Sequence, residues 1–148
     1  MYKHILIATD GSDVGQKGLD HGLSLAKALG ARITVVTVTE PFPIATGGDF
    51  GYVPSASVIT DYRAGQEDTA NAILARAKQA AEQAGVPVET VHVADTPPAE
   101  AIIDTAKSRN CDLITMGSHG RRGLGRLVLG SKTSEVVTHG HVPVLVVR

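Results

Sequence analysis

Five short apolar runs, separated by stretches with a helical period, limit this chain to very few architectures. The runs are HILIAT (His4–Thr9), RITVVTVT (Arg32–Thr39), VETVHV (Val88–Val93), DLITM (Asp112–Met116) and VPVLVV (Val142–Val147). Most are β-branched and apolar on successive residues, the pattern of strands covered on both faces. Between the first two runs, Leu19, Leu23 and Ala26 fall at i, i+4 and i+7, and Gly30 stands where a helix would end. A second helical period runs from about Asp61 to Ala84 through Ala70, Ile73, Leu74, Ala77 and Ala81, with Gly85 and Pro87 to stop it. TPPAEAIIDTAKS (Thr96–Ser108) and SKTSEVVTHG (Ser131–Gly140) predict two more helices, the last closing on His139 and an αL Gly140. Strict β-α alternation predicts an α/β, Rossmann-like domain: a parallel sheet with helices on both faces.

Composition narrows the picture further. A chain of 148 residues suits one domain, and with 3% aromatics and no Trp its core must be built from Val, Ile, Leu and Ala. A net charge of −1 gives no overall field for nucleic acid or an anionic membrane, so any basic function is local. No apolar run approaches the length of a membrane span. The apolar run near the N-terminus is too short for a signal peptide, and Cys111, the single cysteine, has no internal partner. A cytoplasmic location is the expectation.

Two segments break the regular pattern. Glu40–Thr60 is rich in Pro, Gly and Ser and is too long for an ordinary connection, so a loop insert is expected at about 40–60. GSHGRRGLGRLVLGS (Gly117–Ser131) packs five glycines and three arginines into one stretch without an acid. Glycines allow backbone N–H groups to approach a phosphate, and a helix opening at Ser131 offers an N-terminus that attracts anions. This stretch leaves a strand toward the carboxyl edge of the sheet, as do ATDGS (Ala8–Ser12) and VTVTE (Val36–Glu40). Ligands of open α/β sheets bind at that edge. A flexible solvated turn is the plain alternative.

Spacing discriminates among phosphate-binding motifs. A dinucleotide fingerprint needs Gly-x-Gly-x-x-Gly after the first strand, and Gly123-Leu124-Gly125 lies after the fourth. A P-loop fails because Ser131 intrudes between Gly130 and Lys132-Thr133. The pattern Gly117-x2-Gly120-x9-Gly130-Ser131 instead resembles the ATP-binding motif of the universal stress protein family. ILIATDGS, DLITMGSHGR and VPVLVV carry the same resemblance across essentially the whole chain.

The resemblance implies a five-stranded parallel sheet of order 3-2-1-4-5 and a homodimer paired through the last strands. It implies ATP as the ligand, with AMP or ADP as alternatives, and Mg2+ or Mn2+ carried in through the phosphates. On this sequence Asp10 would hydrogen-bond the ribose, with Ala8 and Thr9 beside it. Val38 would read the adenine edge through its backbone, and Met116 would pack on adenosine. Gly117, Gly120 and Gly130 would admit the phosphates. Ser131 and Lys132 would contact them, and Arg121 would reach the terminal one. Plainer roles stand beside these: a turn or cap for Asp10, core for Met116, a helix N-cap for Ser131, and a surface position for His119. Contacts of 41–60 do not follow from the resemblance.

Other chemistries fit less well. A phospho-receiver needs a Lys after its fifth strand, where this chain has only Arg148. THGH (Thr138–His141) resembles a nucleotidyltransferase signature but precedes the last strand instead of following the first. His139 and His141 lack nearby partners for zinc, and Cys111 has no triad. The resemblance therefore implies a nucleotide-binding regulator that forms a homodimer and leaves room for an unidentified protein partner. A slow ATP hydrolase at the same site, or a partner-binding module with a vestigial pocket, are its alternatives.

Overall fold

The computed structural model describes residues 1–44, 53–120 and 128–148. Its elements alternate in the expected order: β1 (His4–Ala8), α1 (Asp13–Leu29), β2 (Arg32–Val38), α2 (Ala56–Ala84), β3 (Val88–Val93), α3 (Pro98–Ser108), β4 (Leu113–Gly117), α4 (Ser131–His139) and β5 (Val144–Val147). The strands form one sheet, β3-β2-β1-β4-β5, and every pairing is parallel. β1 lies at the centre, with Ala8 in register with Val36 on one side and Met116 on the other. Strand order reverses between β1 and β4, so the loops after these strands diverge and leave a crevice.

Each face carries its own core. Ile5, Ile7, Ile33 and Val35 pack under α1 and α2, with Leu19, Leu23, Ala26, Leu74, Ala77 and Ala81 from the helices. Leu6, Ala8, Val36, Ile114 and Met116 point the other way, toward Ala99, Ile102 and Ala106 of α3 and Val136 of α4. Alternate residues of one strand thus fill opposite cores, which explains why β1 must be apolar throughout. α1 starts at Ser12, whose hydroxyl accepts the Gly15 N–H at 3.1 Å, and ends on Gly30 in the left-handed region (φ 63°). α1 approaches the sheet closely at the end of β4: a methyl group on Gly117 would stand 2.9 Å from the Val14 carbonyl oxygen.

Three local expectations are corrected. The irregular stretch after β2 is shorter than Glu40–Thr60, because α2 already begins at Ala56, with Ser55 as its N-cap. α4 is capped by Gly130, so Ser131 is the first helical residue and not the cap. Gly140 ends α4 in extended backbone (φ −63°, ψ 145°), not in αL. The chain turns directly toward β5 there, and a glycine is required for a different reason: a methyl group would lie 2.6 Å from the Val136 carbonyl oxygen.

Candidate functional site

The carboxyl edge of the sheet holds two adjoining compartments. A narrow slot of about 90 Å³ lies on the α3/α4 side and is lined by Ala8, Thr9, Val36, Val38, Ile102, Met116 and Gly117. A larger cavity of about 430 Å³ opens between the end of β2, α2 and the start of α4. Asp10, Val38, His119, Gly120, Lys132 and Thr133 line both, and so form the seam between them.

Local sequence explains how the seam is built. Asp10 follows β1 and is held by its own turn: its Oδ1 accepts the Ser12 N–H at 3.0 Å and the Ser12 hydroxyl at 2.5 Å. The Thr9 carbonyl accepts the Thr37 hydroxyl at 2.9 Å, fixing the β1 exit against β2. Gly120 has room only for hydrogen on its Asp10 side, since a methyl group would come within 2.8 Å of Oδ2. The start of α4 is tied back to β4 twice. Thr133 donates its buried hydroxyl to the Gly117 carbonyl at 3.0 Å, and Gly130 donates its N–H to the Ser118 carbonyl at 2.8 Å. Ser118 in turn donates its N–H to the Val147 carbonyl of β5 at 2.7 Å.

Electrostatics at the seam are mixed. Gly130 caps α4 without a side-chain hydrogen bond, leaving the positive end of the helix turned to the crevice. Lys132 stands in the first turn and is ion-paired with Glu40, just past β2. The His119 Nδ1 lies 3.1 Å from the Ser118 hydroxyl. This arrangement can hold a flat apolar group in the slot, a polar group on Asp10, and an anion against the start of α4.

Of the residues expected from sequence, Ala8, Thr9, Asp10, Val38, Met116, Gly117, Gly120, Gly130, Ser131 and Lys132 all line one or both compartments. Met116 is core as well, 6% exposed and packed in the α3/α4 cluster. Arg121, with Arg122 and Arg126, lies outside the described residues. Sequence reasoning gave no site role to Glu40, Tyr62, Gln66 or Thr133. For Thr133 a signal exists in principle, because a buried threonine in a first helical turn needs a hydroxyl acceptor. Cys111 is buried away from the crevice, and burial pushes its thiol pKa up to about 11, consistent with a structural thiol.

The fold and this edge site define a class: Rossmann-like α/β proteins that bind a ligand where strand order reverses. The model of the Universal stress protein family matches residues 1–148, and the chain belongs to that family. It is 34% identical to a universal stress protein of Methanocaldococcus jannaschii, over 100% of this chain and 83% of that protein. It is 35% identical to universal stress protein YxiE of Bacillus subtilis, with both chains covered in full (100%). The solved structure of UspA from Lactobacillus plantarum superposes with a TM-score of 0.85 at 25% identity, covering 99% of this chain and 98% of that one. More distant structures of the same fold include a universal stress protein in complex with cAMP (TM-score 0.68, 24% identity) and one from Arabidopsis thaliana with AMP bound (TM-score 0.67, 16% identity).

Proposed function

We propose that this protein binds an adenine nucleotide, ATP foremost, across the seam, and acts as a homodimeric regulatory switch. The observation that carries the reading is the convergence of Asp10, Val38, Met116, Gly120, Gly130 and Lys132 on one crevice from four separate segments of the chain. Adenine enters the slot between Val38 and Met116, the ribose meets Asp10, and the phosphates lie against Gly120, Gly130, Ser131 and Lys132. The cAMP and AMP seen in distant family members support the ligand class.

Mg2+ or Mn2+ arrives bound to the phosphates. Among the described residues no group of three His, Cys, Asp or Glu side chains would hold a metal by itself. Dimerisation uses β5, an edge strand whose Leu145 is 37% exposed. Among the described residues no helix is long and apolar enough to cross a membrane.

A second reading, slow ATP hydrolysis, is favoured by one observation. His119 lines both compartments, with its Nδ1 3.1 Å from the Ser118 hydroxyl, a contact that would steady the ring beside a phosphate or water.

The test is to purify the protein without added nucleotide, denature it, and identify released compounds by chromatography with mass detection. ATP in the supernatant supports the binding reading. ADP or AMP favours turnover, to be followed over time with added ATP and magnesium. An empty protein that also ignores ATP in a titration overturns both readings.

A further inference from the structure

The residues assigned to a single nucleotide do not include the α2 wall of the larger cavity. Base in the slot, ribose on Asp10 and phosphates at the seam would use the ends of β1, β2 and β4 and the start of α4. The larger cavity continues beyond them, under the N-terminal half of α2. There Tyr62 and Gln66 stand one helical turn apart on the same face, with Thr69, Ala70 and Ile73 below them. The whole cavity, seam included, is about 430 Å³, within the ~300–1,000 Å³ range of small-molecule sites.

The lining under α2 has a definite chemistry. None of its five α2 residues is charged, which makes it a poor place for further phosphate. Tyr62 brings a flat phenol ring, half-buried and held edge-on by Phe42 with ring centroids 5.0 Å apart. Among the described residues no hydrogen bond engages the Gln66 amide. A ring for stacking beside a spare amide, over an apolar floor, is how proteins read a nucleobase; the amide matches the paired donor and acceptor on the edge of adenine.

We propose that the α2 cavity is a second base-binding subsite, and that the ligand filling the whole crevice carries two nucleosides joined through a polyphosphate. One base enters the slot, the bridge crosses the seam at Gly120 and Lys132, and the second base packs against Tyr62 and Gln66. This rests on the nucleotide reading for the slot and the seam, and adds the class of ligand. Tethering the second base through the bridge makes its binding intramolecular, so a modest subsite yields a large gain in affinity.

The experiment is calorimetric titration of the full chain with ATP and with diadenosine tetraphosphate, on the wild type and on Gln66→Trp. The wild type is expected to bind the two-headed ligand about ten-fold or more tighter than ATP. Gln66→Trp, which fills the cavity from a half-buried helix position, is expected to erase that preference while ATP binding stays within about two-fold. Gln66→Ala, which only removes the amide, retains the fold if the tryptophan variant does not, and should lose about three-fold for the two-headed ligand alone. Equal wild-type affinities overturn the second subsite but leave the nucleotide reading intact. A preference that survives both variants overturns its location, and equal losses for both ligands place the single nucleotide itself under α2. Binding of neither ligand overturns this inference together with the reading beneath it.

Discussion

The ammonium group of Lys132, in the first turn of α4, is paired with the carboxylate of Glu40 just past β2. A phosphate seated at the start of α4 must compete with that carboxylate for the same cation. The pair is half exposed, so its own strength is at most about 1 kcal/mol. Glu40→Gln is therefore expected to tighten ATP binding by about three- to five-fold at low salt. Adenosine, which has no phosphate, should bind both proteins equally. Calorimetry with the two ligands checks this, and a gain for adenosine as large as for ATP would remove Glu40 from the phosphate end.

Gly120 and Asp10 form the tightest approach within the seam. Gly120→Ala would place a methyl group 2.8 Å from the Asp10 carboxylate, which Ser12 holds in place. The carboxylate must turn away from its present position. Affinity for ATP is expected to fall about ten-fold, while stability changes by less than about 1 kcal/mol at this exposed loop position. Titration combined with thermal unfolding separates the two effects.

Gly130 behaves differently from what its place in the motif suggests. A side chain there is expected, from sequence alone, to fill the phosphate cradle and leave the fold untouched. Its first contacts would instead be backbone: the His119 Cα at 3.0 Å and the Ser118 carbonyl oxygen at 3.2 Å. Gly130→Val should therefore lose nucleotide binding and also about 1–3 kcal/mol of stability, as overpacked positions do. Chemical denaturation of the ligand-free protein measures the second loss, and an unchanged midpoint would return Gly130 to a purely ligand-facing role.

Much of this was legible before any coordinates. The central strands β1, β2 and β4 announce themselves because two-sided burial demands apolar, β-branched runs, whereas the edge strand Val88–Val93 is read, with its observed limits, from its alternation. The first turn of α2, before Asp61, sends no such signal, and the turns after it send no sign of which face meets a site. The buried residues of α2 begin only at Ala70, so the turns from Ala56 to Thr69 carry no apolar stripe and contain poor helix formers such as Ser57, Val58 and Thr60. Tyr62 and Gln66 fall within the helix expected from about Asp61, but nothing in the sequence marks them as walls of the larger cavity. The motif glycines were found by spacing, but spacing does not distinguish a glycine facing ligand from one pressed against backbone. Gly117 beneath Val14 and Gly130 against His119 line the crevice and are pressed against backbone as well.

β5 supplies the prediction on assembly. Val146 lies on the edge strand and is half-buried in the isolated chain. Val146→Lys should give monomers if the subunits pair there, because a charge would be buried without a partner at the junction. Sedimentation velocity decides, and an intact dimer would move the interface elsewhere.

Two buried groups set the pH range of stability. Burial, aided by the charge of Arg32, lowers the pKa of His4 below 6.5, while burial raises that of Cys111 from 9.0 to about 11. The folded state therefore resists protonation of His4, and stability present above pH 6.5 is lost as pH falls through its folded pKa. It also resists ionisation of Cys111, so stability present below pH 9.0 is lost as pH rises toward about 11. Unfolding free energy measured across this range should show a plateau between the two limits. Cys111→Ala should flatten its alkaline side, and a thiol reagent at pH 8 should label the wild type only on unfolding.

Ser118 occupies a position whose importance its small side chain conceals. Its N–H is held by the carbonyl of Val147 at the rim of the sheet, and its own carbonyl holds the N–H of Gly130 at the mouth of the crevice. One residue thus joins the edge strand β5 to the start of α4 at the crevice, through two hydrogen bonds in series. Whatever free energy nucleotide occupancy lends to assembly, assembly must return to occupancy in equal measure. If the subunits pair through β5, assembly and ligand occupancy are linked at a single residue, without a moving domain.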